Sequence, residues 1–418
     1  MKTLIKNISS LVTINANGKK ALIGSEMQNI SEIKDAAIFF DEKILWLGTN
    51  KEANEKLEKQ EIIPDNIIDA AGKTILPGFV DSHTHIVFAG NRSEDFARRL
   101  RGVSYQQIAS EGGGILRTMS ATRAATLDEL VEVGIRLGKN ALKHGTTAIE
   151  VKSGYGLTLE SEIKQLEAIK ELKKELPLHI SSTFLGAHDF PPEYKDNHQK
   201  YVDIICNEML PKVAEEKLAE FCDVFVDEGY YSLEQGKQIL QKALDLGFKL
   251  KVHADELACF GSAQLAAKLG AISADHLLFI SDDGIDALQK AGTVATLLPG
   301  TAYFLRMQYA PARKIIEKNV ITALATDCNP GSCFTENMQQ ILSLAITNMR
   351  MTCEEALVAS TLNGAAALLK SEQIGSLEIG KYSDFSILNI PTYIDLFYHF
   401  GINHVESTWV KGKLEWKV

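Results

Sequence analysis

The sequence predicts an α/β fold: a (β/α)8 barrel of the TIM type, carrying a small β-sandwich formed from both chain ends. Three observations lead there. From about residue 74 onward, eight short apolar segments with strand character alternate with helical ones, and strand-and-turn texture without helices is confined to the two ends. The 418 residues exceed one ordinary domain but suit one large barrel with an appendage. The expected division is 1–72 and 373–418 for the sandwich and 73–372 for the barrel.

The N-terminal part shows short β-branched runs. Leu11-Val-Thr-Ile-Asn is followed by the turn pair Asn17-Gly18, and Ala37 to Gly48 has the pattern of a hairpin. In the barrel, helix starts carry capping signatures at Thr126-x-x-Glu129, Ser232-x-x-Gln235 and Thr352-x-x-Glu355. Gly145, Gly247 and Gly270 each close a helix and lead straight into an apolar strand. The eight strands are expected near Ile75–His85, Thr146–Lys152, His179–His188, Asp223–Glu228, Phe248–His253, Ala271–His276, Thr293–Leu298 and Ile321–Asp327. An open doubly wound sheet is disfavoured because no G-x-G-x-x-G follows the first strand. The stretches Gly375–Leu388 and His404–Leu414 return to strands and turns.

Composition narrows the class. Apolar residues make up 45% and charged residues 23%, the balance of a globular protein. A net charge of −10 without a basic run argues against nucleic acid or an anionic membrane as partner. The N-terminus has no signal-peptide core, and no window approaches the roughly 20 apolar residues of a membrane span. The six cysteines form no C-x-x-C pair, so reduced thiols and a cytoplasmic location are expected.

The chemistry sits at strand ends. Strand one ends in Asp81-Ser-His83-Thr-His85, and residues two apart on a strand share a face, so both imidazoles can reach one cation. Strand five ends in Lys251-Val-His253-Ala-Asp-Glu256, strand six in Ala274-Asp-His276, and strand eight in Thr326-Asp327-Cys-Asn329-Pro-Gly331-Ser332. Any one of these histidines could be a hydrogen-bonded structural residue; their gathering at one rim argues against that. His83, His85, His253 and Asp327 form a nitrogen-rich donor set with one carboxylate, which suits one Zn2+ or Fe3+ per chain and disfavours Mg2+ or Ca2+. With an open position, such a metal lowers the pKa of its water to roughly 7, which makes the centre hydrolytic.

Pro77-Gly-Phe-Val-Asp-Ser-His-Thr-His, the histidines on strands five and six, the Thr-Asp of strand eight and Gly375-Ser-Leu-Glu-Ile-Gly-Lys-Tyr-Ser-Asp resemble the amidohydrolase superfamily over almost the whole chain. Within it, Phe88-Ala-Gly-Asn-Arg92-Ser-Glu-Asp-Phe, Gly112-Gly-Gly-Ile, Glu150-Val-Lys-Ser-Gly-Tyr155-Gly-Leu, Phe184-Leu-Gly-Ala-His188 and Val252-His-Ala-Asp-Glu256 are similar to the imidazolonepropionase family. The resemblance implies hydrolysis of the small anionic 4-imidazolone-5-propanoate to N-formimidoyl-glutamate. Binuclear relatives carry a carboxylated lysine on strand four; Asp223-Val-Phe-Val-Asp-Glu has none, which favours a single metal, with Lys152 of strand two structural or supporting.

By the same resemblance, Arg92, Tyr155 and His188 contact the substrate. Arg92 offers a planar fork for the propanoate, or is an exposed loop arginine. Tyr155 lies in a Ser-Gly-Tyr-Gly segment expected to be a flexible loop, where it meets the substrate or packs under the loop, and His188 binds the ring or carboxylate or holds its own loop. Glu256 reaches the water or a ring N–H, or is a helix N-terminal carboxylate. His276 stabilises the oxyanion, and Asp327 relays the water's proton to the leaving nitrogen. Asn329, Gly331 and Ser332 hold the second end of the substrate or form a plain turn. Two other readings stand beside this one: a deaminase of a cytosine- or guanine-like base on the same barrel, and a non-catalytic scaffold. A homodimer is left open.

Overall fold

The computed structural model describes residues 1–103, 107–108 and 111–418. The N-terminal strands are β1 (Thr3–Val12), β2 (Glu32–Phe40), β3 (Ile44–Thr49), β4 (Asn66–Asp69) and β5 (Thr74–Pro77). The barrel strands follow: β6 (Phe79–Asp81), β7 (Thr146–Lys152), β8 (His179–Ala187), β9 (Phe221–Val226), β10 (Lys249–Ala254), β11 (Ser273–His276), β12 (Val294–Leu297) and β13 (Thr322–Leu324). The chain ends with β14 (Phe385–Leu388), β15 (Val405–Val410) and β16 (Lys413–Lys417).

β1–β5 and β14–β16 form one mixed sheet in the order β16-β15-β14-β5-β1-β2-β3, with β4 on β1. The expected hairpin is β2 on β3, antiparallel. The sheet folds over onto itself. In a flat sheet β2 and β15 would stand four steps apart, about 19 Å at the usual spacing. Instead the rings of Phe40 on β2 and Trp409 on β15 lie 5.6 Å apart, and Phe385 on β14 packs against both, at 5.1 Å from Phe40 and 5.6 Å from Trp409. These rings join Ile5, Ile8, Ile38 and Ile75 in a core of their own, the packing expected of a sandwich.

β6 to β13 are parallel and adjacent in sequence order. Closure comes at the first and last strand ends, where Asp327 N–H donates to His83 C=O (3.0 Å) and His85 N–H to Cys328 C=O (2.9 Å). Asp81 strengthens the seam by accepting from Thr326 N–H (2.9 Å) and Thr326 Oγ1–H (2.6 Å). The strand expected at Ile75–His85 is split. Residues up to Pro77 pair with β14 in the terminal sheet, Phe79–Asp81 pair with β7, and Gly78, packed against Thr147, makes the transfer.

The three capping boxes are present, each side chain accepting from the N–H three residues on. Gly145 and Gly247 sit at φ +93° and +90°, conformations that let the chain leave a helix and enter the next strand without the strain a Cβ would bring. With helices outside and side chains packed inside, every residue of β7, β9 and β11 is buried.

Candidate active site

The strand C-termini bring the expected donors together. His83 Nε2 lies 3.3 Å from His85 Nε2, and Asp327 Oδ1 lies 3.6 Å and 3.4 Å from those two nitrogens. The His253 ring centroid is 4.5 Å from that of His83 and 5.6 Å from that of His85. His276 stands 5.1 Å from His253, with Nε2 3.5 Å from Glu256 Oε2. All are buried. Burial holds His83 and His85 well below the usual imidazole range and His276 down to about 3, so these rings are neutral. Burial, with the charges of Asp327 and Asp227 added, pushes the Glu256 carboxyl well up.

A layer of which only Lys152 was anticipated from the sequence supports the donors. Asp275 accepts from His83 Nδ1–H at 2.7 Å, which leaves the Nε2 lone pair facing His85 and Asp327. Asp223 Oδ2 sits 3.0 Å from His253 Nδ1, a pairing distance without hydrogen-bond alignment, and its other oxygen accepts from His253 N–H (3.2 Å). Beneath them Lys152 Nζ contacts Glu150 (2.9 Å) and Asp223 (2.8 Å), while Lys251 Nζ contacts Glu150 (3.0 Å) and Ser82 C=O (2.8 Å). None of these five ionisable side chains is exposed. Two ammonium groups among three carboxylates compensate charges that could not be buried singly. Parallel register brings the layer together: His253 is level with Asp275, and Lys251 with Asp223.

Asp327 is fixed from its far side. Thr301 Oγ1–H donates to Oδ2 at 2.5 Å, from the first turn of helix Pro299–Leu305. Asp327 at φ +54° and His276 at φ +79° occupy left-handed conformations that strain a residue with a Cβ, and such strain concentrates at functional sites.

One cavity of about 390 Å³ gathers His85, Arg92, Tyr155, His188, His253, Glu256, His276, Asp327, Asn329, Gly331 and Ser332. Arg99, Phe225 and Tyr230, not singled out from the sequence, also line it. Its donor set fits a metal. Neutral imidazole nitrogens converge on a carboxylate oxygen, and His85 Nδ1 and both ring nitrogens of His276 are buried without a hydrogen-bond partner among the described residues. His83, His85 and Asp327 offer donor atoms within 4.8 Å of one another, as do His83, His253 and His276. A wider groove of about 1030 Å³, where Lys173–Leu178 meets the terminal sheet, contains none of these groups.

The substrate-facing expectations fare unevenly. Arg92 anchors its Nε–H on Thr118 Oγ1 (2.8 Å) and lays its Nη1 over Gly331, where an added Cβ would sit 2.0 Å away. His188 Nδ1 donates to Gly154 C=O (3.0 Å), which leaves Nε2 as an acceptor; its ring stacks on His85 at 5.1 Å. Tyr155 is buried with its ring 5.2 Å from His188, and its loop is not the flexible one expected: side chains of a neighbouring helix hold its N–H groups. Glu256 heads no helix, since the next begins at Ser262; it lies in a bend whose N–H groups are held by Asp227. Asn329 uses its amide within its own loop, donating to Asp327 C=O and Ser332 Oγ and accepting from Gly331 and Ser332 N–H, each at 2.7–2.8 Å. These bonds shape the loop, and Asn329 lines the cavity beside Gly331 and Ser332.

Among the described residues no helix is long and apolar enough to cross a membrane, and all six cysteines are unpaired.

Comparison with known proteins agrees with this geometry. The family model described as "Amidohydrolase family" matches residues 74–414. An imidazolonepropionase from Alkaliphilus oremlandii is 45% identical over 412 residues, covering 98% of this chain and 97% of that one. One from Thermoanaerobacter pseudethanolicus is 48% identical over 411 residues, covering 98% and 96%. Among solved structures, Escherichia coli guanine deaminase matches with a TM-score of 0.73 over 100% of this chain and 99% of its own, at 16% identity, a likeness of fold alone.

Proposed function

The chain belongs to the amidohydrolase family and to the imidazolonepropionases within it, and on that premise we propose how its residues divide the work. The family and the His/Asp donor set imply a divalent metal and a metal-dependent hydrolase. The reaction is hydrolysis of a C–N bond of 4-imidazolone-5-propanoate to N-formimidoyl-L-glutamate, a step of histidine degradation. We assign His83, His85, His253 and Asp327 as donors to one zinc or iron ion. When bound, that ion supplies Lewis acidity and a water acidic enough to react at neutral pH.

The chain's own groups do the rest. Asp327, steadied by Thr301, takes a proton from the attacking water and returns it to the ring nitrogen as the C–N bond breaks. His276, neutral and making no hydrogen bond among the described residues although Glu256 stands 3.5 Å from its Nε2, donates to the carbonyl oxygen as it becomes negative. Glu256, beside His276, holds a ring N–H. Arg92 pairs with the propanoate through its fork, and Tyr155 and His188 flank the ring. Gly331 and Ser332 form the opposing wall, with Asn329 keeping that loop in shape.

The observation that carries this reading is one cavity lined by unpartnered buried imidazole nitrogens, Asp327 and Arg92 together. A neutral base has acceptors but no carboxylate for the Arg92 guanidinium to form a charge-assisted pair with, which weighs against the deaminase alternative. The six unpaired cysteines accord with a cytoplasmic location. The test is turnover by the purified chain of imidazolonepropanoate against cytosine and guanine. Turnover of a base and none of the imidazolone would sink the assignment.

A further inference from the structure

Four consecutive backbone N–H groups, Gly154 through Leu157, turn toward the helix Leu159–Glu175 that follows them. Two side chains, one helical turn apart, take all four. Glu162 Oε2 accepts from Gly154 N–H (3.0 Å), and its Oε1 accepts from Gly156 and Leu157 N–H (2.8 Å each). Gln165 Oε1 accepts from Tyr155 N–H (3.0 Å), and its Nε2–H ties the helix to Val87 C=O at 2.7 Å. Both side chains are fully buried, and neither lines the active-site cavity.

The segment they hold cannot take this shape unaided. Gly154 sits at φ +110° and Leu157 at φ +53°, and a Cβ on Gly154 would approach Leu185 C=O to 2.9 Å and His188 Nδ1 to 3.1 Å. Two site groups depend on it. The Tyr155 ring projects from its centre, and Gly154 C=O accepts the Nδ1–H of His188, so the position of that one carbonyl decides which imidazole nitrogen faces the cavity.

We infer that Glu162, seconded by Gln165, is a positioning residue for substrate binding: it clamps the Gly154–Leu157 backbone and so sets the aim of Tyr155 and the tautomer of His188. The inference rests on reading Tyr155 and His188 as substrate contacts. Glutamine at 162 has a single acceptor oxygen. It can serve Gly156 and Leu157, but then sets an NH2 against Gly154 N–H, so the residue that orients His188 is the one released.

The experiment compares Glu162→Gln, Gln165→Met, Tyr155→Phe and His188→Gln in the metal-loaded enzyme. It records KM and kcat on imidazolonepropanoate, metal content, and the His188 tautomer by 15N NMR. Glu162→Gln should raise KM about tenfold, keep kcat within about threefold, keep its metal and lose the dominant Nδ1–H form of His188. Gln165→Met should show the same split more weakly, and it carries the comparison if Glu162→Gln does not fold. A parent-like KM and tautomer in both clamp variants, with KM raised in Tyr155→Phe or His188→Gln, would overturn the inference alone. So would a fall in kcat that tracks lost metal. A parent-like KM in Tyr155→Phe and His188→Gln would instead overturn the substrate reading, and the inference with it.

Discussion

Replacing Gly331 by alanine should disable Arg92 without touching its charge. The added Cβ would stand 2.0 Å from Nη1 and 2.9 Å from Cζ of Arg92, against about 3.5 Å for an ordinary contact. The guanidinium must therefore move by roughly 1.5 Å, and Nε, held by Thr118 Oγ1, restricts where it can go. The bond lengths of a two-bond fork on a carboxylate lie within a few tenths of an ångström of one another, so a shift of that size breaks at least one bond. A charge-assisted bond contributes about 1.5–3 kcal/mol, so kcat/KM should fall roughly ten- to hundredfold. Folding stability should change little, because Gly331 is outside the left-handed region and the obstacle is the end of a long side chain. Steady-state kinetics on imidazolonepropanoate, with metal content as control, makes the measurement. Arg92→Lys should fall below the parent, and Arg92→Met below that. Adding Gly331→Ala to Arg92→Met should cost almost nothing more, since both act on one contact. Parent-like kinetics in Gly331→Ala, or losses that add in the double variant, would refute the reasoning.

Other consequences are as concrete. His276→Ala should lower kcat by roughly 10²–10³ while the metal stays bound, the effect of removing one oxyanion donor; loss of metal instead would make His276 a ligand. Asp275→Ala should weaken metal affinity by about 10- to 100-fold in a chelator competition, because His83 loses the acceptor that turns its Nε2 to the site. An unchanged affinity would show the carboxylate to be idle. Asp189 bears on pH dependence. Burial raises its carboxyl to about 6, so the folded chain holds that proton more tightly than the unfolded one. Its contribution favours folding below pH 4 and is lost as pH rises to about 6, a swing of at most about 3 kcal/mol. Asp189→Asn should therefore be more stable than the parent at pH 7 and equal to it near pH 4 in urea melts; equal midpoints at both pH values would contradict this.

The barrel and the cluster of candidate metal donors were legible because both rest on short-range periodicity. A strand period of two predicts His83 and His85 on one face, and they do converge although β6 ends at Asp81; helix caps and glycines mark where several strands begin. What escaped depends on neighbours across strands. Asp275 and Asp223 read as ordinary polar residues in sequence, and only the register of β9, β10 and β11 sets them beneath His83 and His253. Thr301 reaches Asp327 from a helix 26 residues earlier, and no spacing rule announces that contact. The Ser-Gly-Tyr-Gly segment looked flexible because glycines permit many conformations, yet Glu162 and Gln165 select one. The sequence reads Asn329 as a ligand-facing amide or a turn residue, and it cannot show the loop bonds that its amide makes to Asp327 and Ser332.

The most direct test of the central claim strips the purified chain of metal and returns zinc or iron in steps, while following loss of the imidazolone and formation of N-formimidoylglutamate. No turnover by the stripped chain, then activity rising in proportion to metal and levelling at one equivalent per chain, is the expected result. Undiminished turnover without metal, or a plateau reached only at two equivalents, would contradict the account.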